Sequence, residues 1–212
     1  RNCSIDRTGG KIGFCRESST IKAALASVHN WEEPPISGTK GSGTIFFTGC
    51  NLKCVFCQNY SISSEHSGKE ISVERLSEIM LEQQARDVHN INLVTAVHFV
   101  PSVIKAVEKA RQNGLTIPIV YNSSGYEKAD TIKMLEGTVD IYLPDIKYFS
   151  SELSAKYSSA PDYFEYASAA VKEMHRQCGN VIFDENGIMQ KGIIIRHLIL
   201  PSCKTDSFKI LD

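Results

Sequence analysis

The chain has 212 residues, of which 42% are hydrophobic and 22% are charged, a balance typical of a soluble globular domain. Its 23 basic and 24 acidic residues give a formal net charge of -1, which excludes a general positive field for holding nucleic acid or an acidic membrane. No apolar run approaches the roughly 20 residues that span a bilayer, and residues 1–10 lack the apolar stretch of a secretory signal, so we expect a cytoplasmic protein.

Residues 1–43 are predicted to form an irregular N-terminal extension, because glycine and proline residues interrupt any long hydrophobic period there. Residues 44–212 are predicted to form the core domain. Its first strand covers residues 44–48, a short apolar run that ends at Gly49. A group of cysteines follows this glycine directly, so we expect them at the C-terminal end of a strand.

Strands and helices alternate along the remainder of the chain. This order predicts parallel βαβ units, which build either an open doubly wound sheet or a barrel. In both architectures the functional residues gather at the C-terminal ends of the strands. The predicted elements are a helix over 72–88 with Ser72 as N-cap, a strand over 91–97, a helix over 102–113, a strand over 116–121, a helix over 128–135, a strand over 139–143, a helical stretch over 152–178 interrupted near Pro161, a hairpin over 183–190 and a strand over 192–200.

Three of the seven cysteines fall within eight positions, with the spacing CxxxCxxC at Cys50, Cys54 and Cys57. This clustering suits metal ligation in a reducing compartment better than a disulfide framework. Three thiolates in one loop can hold an iron-sulfur cluster and leave one iron without a protein ligand, and an open coordination site distinguishes catalytic metal centres from structural ones. The alternatives are a zinc site and a group of ordinary buried cysteines.

The segment around these cysteines resembles a known family. A CxxxCxxC motif after a strand, with an aromatic residue, here Phe56, directly before the last cysteine, is the signature of the radical SAM superfamily. Residues 48–59 look like the group of homologues of the pyruvate formate-lyase activating enzyme. The likeness extends to residues 91–94, 118–126, 140–147 and 196–201.

This resemblance implies a fold, cofactors and partners. The implied fold is α/β, a partial (β/α) barrel that forms the radical SAM core over residues 44–212. An early end at residue 212 would leave this barrel without its last strand. Cys50, Cys54 and Cys57 would hold a [4Fe-4S] cluster whose open iron S-adenosylmethionine chelates, and reductive cleavage would give a 5'-deoxyadenosyl radical. The implied partners are a glycyl radical enzyme as protein or peptide substrate and a reducing electron donor such as flavodoxin or ferredoxin.

Two other functions stay open at the level of sequence. The same radical chemistry could modify another peptide or a small molecule, because neither the fold nor the cluster fixes the substrate. The chain could also be a non-catalytic protein that binds iron or zinc. Release of 5'-deoxyadenosine is the observation that separates an enzyme from a simple metal-binding protein.

The cofactor is expected to contact the stretch that follows the second core strand. Radical SAM enzymes usually carry Gly-Gly-Glu there, and this chain lacks it, with Ala96-Val97 where the resembling group has Pro-Thr. Asn92, Thr95 and His98 could supply hydrogen bonds to an ammonium group or a ribose. Alternatively, His98 is a histidine satisfied by its neighbours near the end of a strand.

Asp145 and Lys147 end the fourth core strand and match the Asp-x-Lys of activating enzymes. Residues two positions apart in a strand point to one face, and charged groups at a barrel mouth seldom serve packing. The resemblance therefore implies that Lys147 contacts the cofactor carboxylate, while Asp145 holds a partner cation or a ribose hydroxyl.

Short polar residues end the third core strand, and two basic residues lie near the last one. Asn122, Ser123 and Ser124 are candidates for cofactor contacts, although a turn alone would explain them. Of Arg196 and His197, one must face inward if the last strand alternates normally, and surface placement is the alternative.

The remaining cysteines are distributed outside the motif. The resembling group begins with a further cysteine motif, and this likeness implies that Cys3 and Cys15 are remnants of an N-terminal metal or cluster site. They could equally be ordinary cysteines of the N-terminal extension. Cys178 and Cys203 have no companion at ligand spacing, so we interpret both as structural.

Overall fold

A computed structural model describes residues 3–212, which fold around one eight-stranded sheet. The mixed α/β class is confirmed. The strands are β1 Lys22–His29, β2 Ser42–Phe47, β3 Lys69–Glu70, β4 Ile91–Val94, β5 Ile119–Ser123, β6 Ile141–Pro144, β7 Ile182–Phe183 and β8 Met189–Ile193. They lie in the order β3-β1-β2-β4-β5-β6-β8-β7, and β2, β4, β5, β6 and β8 run parallel to their neighbours in that series. The predicted run of βαβ units therefore forms the centre of the sheet.

Helices connect these strands. They are α1 Pro34–Ser37, α2 Tyr60–Ser63, α3 Val73–Gln84, α4 Val100–Gln112, α5 Ala129–Lys133, α6 Ser151–Ser158, α7 Tyr163–Cys178 and α8 Lys204–Leu211, with a short 3-10 turn at Val97–Phe99. The predicted N-cap is confirmed, since Oγ of Ser72 accepts a 3.1 Å hydrogen bond from the backbone N–H of Arg75. The predicted interruption near Pro161 separates α6 from α7. None of these helices within residues 3–212 is long and apolar enough to cross a membrane.

The two faces of the sheet are covered differently. One face packs against the long helices and carries the largest apolar cluster, which includes Leu93, Tyr121 and Tyr142. On the other face Val120, Ile141, Leu143 and Met189 pack on Ile36 of α1. We call this second side the α1 face, and because side chains alternate along a strand, residues two apart share it.

The prediction of little regular structure in the N-terminal extension is wrong for residues 22–29. They form β1, which pairs antiparallel with β2 over nearly its whole length and with β3 on its other side. The Pro and Gly residues at positions 34–41 mark the connection between β1 and β2, not an irregular region. Its small side chains gave little strand signal, because alanine and serine carry little β propensity and the strand is held mainly by its backbone pairing.

The end of the chain differs in part from the prediction. The hairpin is confirmed, with β7 and β8 antiparallel and Gly187 in the turn at φ 77°. The last strand is shorter than predicted, since β8 ends at Ile193, and only an isolated bridge from Asp145 to Arg196 continues it. The apolar residues beyond it, such as Ile199, are exposed, so burial does not hold them in a strand.

Candidate metal centre and active site

The cysteine motif lies on a loop that starts directly after β2, as predicted. Gly49 begins the loop at φ 76°, and a Cβ there would lie 2.5 Å from Cγ of Glu17 and 2.7 Å from the carbonyl oxygen of Cys15. Only glycine fits this close approach in a left-handed conformation. The N-terminal segment around residues 15–17 therefore packs against the start of the loop.

The far side of the loop is hydrogen-bonded to the C-terminal end of α6. The backbone N–H groups of Lys53 and Val55 donate to the carbonyl oxygens of Ser158 and Tyr157, over 3.1 and 2.9 Å. Oγ of Ser158 also donates to Sγ of Cys54 over 2.9 Å. These contacts fix the middle of the loop on an ordered helix, so the position of Cys54 does not depend on the loop alone.

Cys50, Cys54 and Cys57 are all free and partly buried. Cys50, Cys54 and Phe56 pack against one aromatic cluster that includes Tyr126 and Tyr163. The pKa of Cys50 is raised to about 11, first by burial and then by the neighbouring sulfurs of Cys54 and Cys57, while the backbone N–H of Leu52 and the charge of Lys53 oppose the shift. The three sulfurs are thus close enough to influence one another.

The donor set of this loop suits an iron-sulfur cluster. Cys50, Cys54 and Cys57 are all free thiols on one loop. Cysteine thiolates are the ligands of such clusters, and three of them leave one iron of a [4Fe-4S] cluster without a protein ligand.

A charged group lies at the carboxyl ends of β5 and β6, near this loop. Oδ2 of Asp145 is 2.5 Å from Nζ of Lys147, and Oδ1 is 2.9 Å from Nε of Arg196. Nη2 of Arg196 donates to Oδ1 of Asn122 over 2.6 Å. We call these four residues the strand-end cluster. Burial raises the pKa of Cys54, and the hydrogen bond from Ser158 and the positive charge of Lys147 oppose this shift, so the strand-end cluster and the cysteine loop are electrostatic neighbours.

Two carboxylates that sequence reasoning missed join this group. Glu32 accepts from Nδ2 of Asn122 over 3.3 Å and from Nη1 of Arg196 over 3.4 Å, and Glu33 lies 3.7 Å from the same Nη1 atom. Burial raises the pKa of Glu32, and Arg196 opposes this. No motif marked these residues, because they precede α1 in a connection whose prolines indicated only a loop.

Asn92 lies on β4 and faces the same side of the sheet as Val120, its register partner on β5. It is fully buried, and neither amide atom has a hydrogen-bond partner among residues 3–212. Each unsatisfied group of this kind costs about 1–3 kcal/mol, so such a residue calls for an explanation. Thr95 contributes differently: it holds φ 61°, and its backbone N–H donates to the carbonyl oxygen of Asn122 over 2.9 Å.

The serines at the end of β5 shape a turn. Oγ of Ser123 accepts from the N–H of Gly125 over 3.2 Å, and the carbonyl oxygen of Ser124 accepts from the hydroxyl of Tyr163 over 2.7 Å. Gly125 adopts φ 73°, and a Cβ there would lie 2.3 Å from the carbonyl oxygen of Asp145. These contacts agree with the turn alternative and bring the ends of β5 and β6 together.

The two histidines singled out from the sequence bind backbone atoms. Nε2 of His98 donates to the carbonyl oxygen of Thr48 over 2.6 Å, and burial lowers the pKa of His98 to about 4. Nδ1 of His197 donates to the carbonyl oxygen of Ile146 over 2.6 Å, and its Nε2 accepts from Ser207. Of Arg196 and His197, only Arg196 therefore has its side chain in the strand-end cluster, bound to Asp145 and Asn122.

The sulfurs of Cys3 and Cys15 both lie close to Gly13 in the folded chain. Their sulfurs are 3.6 and 3.5 Å from the position that a Cβ on this glycine would take. Cys15 is buried and Cys3 is exposed, and backbone hydrogen bonds to its sulfur lower the pKa of Cys3. The two thiols thus lie near each other, and a second metal site at them stays a prediction.

Comparison with known families identifies the chain. A family model described as the Radical SAM superfamily matches residues 44–184, which is most of the chain. The chain belongs to the radical SAM superfamily. Members of this superfamily generally bind a [4Fe-4S] cluster and S-adenosylmethionine, and the mixed α/β fold with parallel strands is consistent with the radical SAM core.

A curated relative extends this likeness over almost the whole chain. An uncharacterized protein of Methanocaldococcus jannaschii is 32% identical over 221 residues, which cover 99% of this chain and 58% of the relative. The chain thus spans less than two thirds of the length of this relative. We therefore give the activity, substrate and partners of the whole protein only as proposals.

Proposed function

We propose that this chain is a radical SAM enzyme whose Cys50, Cys54 and Cys57 hold a [4Fe-4S] cluster. The observation that carries the proposal is the position of three free cysteines at the carboxyl end of β2, beside the charged strand-end cluster. When bound, the cluster supplies the electron that cleaves S-adenosylmethionine into methionine and a 5'-deoxyadenosyl radical, which abstracts hydrogen from carbon.

The side chains around the loop have separate tasks in this proposal. Lys147 binds the carboxylate of S-adenosylmethionine, and Asp145 orients Lys147 through their ion pair. Asn122 and Arg196 complete the polar wall of the site. Phe56 and the aromatic cluster exclude water from one side of the loop, which protects a reactive radical from solvent.

We further propose that the substrate is a glycyl radical enzyme and that flavodoxin or ferredoxin supplies the electron. The support is the likeness of residues 48–59 and 140–147 to the homologues of the pyruvate formate-lyase activating enzyme. Modification of another peptide or a small molecule is the second candidate. The strand-end cluster favours neither substrate by itself, because in this proposal it binds the cofactor.

The test is anaerobic reconstitution with iron and sulfide, followed by dithionite and S-adenosylmethionine. We expect a [4Fe-4S] spectrum and release of 5'-deoxyadenosine and methionine. Cys54→Ala should abolish both, because a cluster ligand is lost. Cys203→Ala, which removes a partly buried cysteine outside the loop, is the matched control and should retain them. Bound zinc without a cluster spectrum, or full activity of Cys54→Ala, contradicts the proposal.

A further inference from the structure

The chain of β6 continues in extended form past the point where its neighbour β5 turns away. The N–H of Asp145 donates to the carbonyl oxygen of Ser123 over 2.9 Å, as in a regular parallel ladder. The next bonds of such a ladder would join Gly125 to the carbonyl oxygen of Asp145 and to the N–H of Lys147. Gly125 instead donates to Oγ of Ser123 over 3.2 Å and accepts from the N–H of Glu127 over 2.8 Å. The backbone of β6 therefore needs another partner at this step.

The hydroxyl of Tyr163 supplies that partner. Its oxygen accepts from the backbone N–H of Lys147 over 3.0 Å, and its proton is within reach of the carbonyl oxygens of Asp145 and Ser124, 2.8 and 2.7 Å away. A hydroxyl donates one hydrogen bond and accepts two, so the two carbonyl groups share this donor. Tyr163 thus takes the place of the next residue of β5 and continues the hydrogen-bonded edge of β6 as far as Lys147.

The ring of Tyr163 is itself firmly held. Tyr163 is the first residue of α7 and is fully buried. Its ring stacks on Tyr126 with centroids 5.8 Å apart and meets the ring of Tyr148 edge-on at 5.4 Å. Burial raises the pKa of Tyr163 well above its ordinary value, so the hydroxyl keeps its proton and stays a donor. The partner of β6 is therefore a side chain fixed by packing, not a mobile loop.

The other edge of β6 is bound at the same level. The N–H of Ile146 donates to the carbonyl oxygen of Arg196 over 2.8 Å. The backbone is thus held on both edges and stays extended, which places the side chains of Asp145 and Lys147 on one face. Their ion pair of 2.5 Å follows from this geometry. The position of the Lys147 ammonium group therefore depends on the hydroxyl of Tyr163.

We propose that Tyr163 is a positioning residue for the cofactor: its hydroxyl fixes Lys147 where the ammonium group binds the carboxylate of S-adenosylmethionine. This inference rests on the function proposed above and adds a residue that acts through Lys147. Tyr142 offers a matched comparison, because it is equally buried and its hydroxyl donates to Oε1 of Gln177 over 2.6 Å. Its side chain packs in the large apolar cluster under the long helices, away from the strand-end cluster.

The test compares binding of S-adenosylmethionine and of decarboxylated S-adenosylmethionine to the reconstituted protein without reductant. The decarboxylated compound lacks the group that Lys147 binds in this proposal, so the ratio of its Kd to that of S-adenosylmethionine reports the contact. Chelation of the open iron by the carboxylate adds to this ratio equally in every variant. A general loosening of the protein raises both Kd values together and leaves the ratio unchanged.

We expect Tyr163→Phe to lower this ratio roughly fivefold, because Lys147 loses its fixed position. Tyr142→Phe, which also removes one buried hydroxyl, should keep the ratio within about twofold of the wild-type value.

A double-mutant cycle shows whether Tyr163 acts through Lys147. Lys147→Met should lower the ratio at least as far as Tyr163→Phe, and the double variant should lower it no further than Lys147→Met alone. A ratio that responds to Lys147→Met but not to Tyr163→Phe overturns this inference and leaves the proposed function intact. A ratio that Lys147→Met leaves unchanged refutes the role of Lys147 in the proposed function, and this inference with it.

Amide hydrogen exchange of the wild type decides the matter if Tyr163→Phe does not fold. The N–H of Lys147 should exchange as slowly as the N–H of Ile146, because both are bonded inside the sheet edge. Exchange of the Lys147 amide at the rate of an exposed loop overturns the inference.

Discussion

The sulfur of Cys54 lies at the end of a chain of hydroxyl groups. Because Ser158 donates to Cys54, its Oγ atom accepts from the hydroxyl of Tyr148, 2.6 Å away. Tyr148 is almost fully buried, so water does not replace this interaction. Hydrogen bonds to ligand sulfurs are among the factors that set the potential of an iron-sulfur cluster.

We therefore expect Ser158→Ala to lower the reduction potential of the reconstituted cluster by about tens of millivolts, because the reduced cluster carries more negative charge on its sulfurs and loses more stabilisation with the hydrogen bond than the oxidised cluster does. A redox titration followed by electron paramagnetic resonance measures this shift. Ser154→Ala is the matched control on α6, since its hydroxyl bonds only to the carbonyl oxygen of Ser151 among the described residues. Equal potentials in the two variants would contradict the assigned role.

His98 links protein stability to pH. Its pKa is about 4 in the folded protein, mainly because burial disfavours the charged ring, against about 6.5 when unfolded. The unfolded state thus binds the proton more readily between these values. The contribution of the neutral His98 ring to the free energy of unfolding is fully present above about pH 6.5. It is lost as the pH drops toward 4, by at most about 3 kcal/mol.

Urea unfolding between pH 7.5 and 4.5 measures this loss. We expect His98→Gln, which can still donate to the carbonyl oxygen of Thr48, to flatten the pH dependence. His175→Gln replaces an exposed histidine of α7 and should retain the full slope. A wild-type slope that His98→Gln leaves unchanged would mean that other groups cause the acid sensitivity.

At the scale of elements, the cysteine loop depends on its first residue. Gly49 combines a positive φ with close contacts to Glu17 and Cys15, whereas Gly137, at the same φ of 76°, has open space where a Cβ would lie. Both substitutions to alanine cost about 1 kcal/mol of backbone strain. Only Gly49→Ala adds a steric clash, worth about 1–3 kcal/mol more.

Urea denaturation of the two alanine variants checks this difference. Gly49→Ala should lose more free energy of unfolding than Gly137→Ala and should also incorporate less iron per chain on reconstitution. Similar losses in both variants, with normal iron content, would show that the start of the loop tolerates a side chain.

The sequence predicts elements well where the signal is local. The periodic apolar residues and Ser72 locate α3, and the short apolar runs locate β4, β5 and β6 to within a few residues. β1 is missed because its stability comes from backbone pairing with β2, which leaves little mark in its own side chains. α8 is missed for a similar reason: Phe208 and Leu211 are exposed, so no buried periodic stripe identifies it.

For the whole molecule, the candidate site is predictable only where residues near one strand end share a motif. Asp145 and Lys147 are two positions apart, and their ion pair follows from strand geometry. The contact of Arg196 with Glu32 spans 164 residues, and no pattern in the sequence indicates it. His98 illustrates the opposite case, where a polar residue near the site serves mainly the backbone.

Strand β2 separates two segments along the sequence that meet in the folded protein. Glu32 and Glu33 precede its first residue, Ser42, and the cysteine loop follows its last residue, Phe47. Glu32 nevertheless lies 3.4 Å from Arg196, at the strand ends that the loop adjoins. Chimaeras that exchange residues 30–41 between relatives therefore alter the polar wall beside the proposed cluster while its three cysteines stay intact.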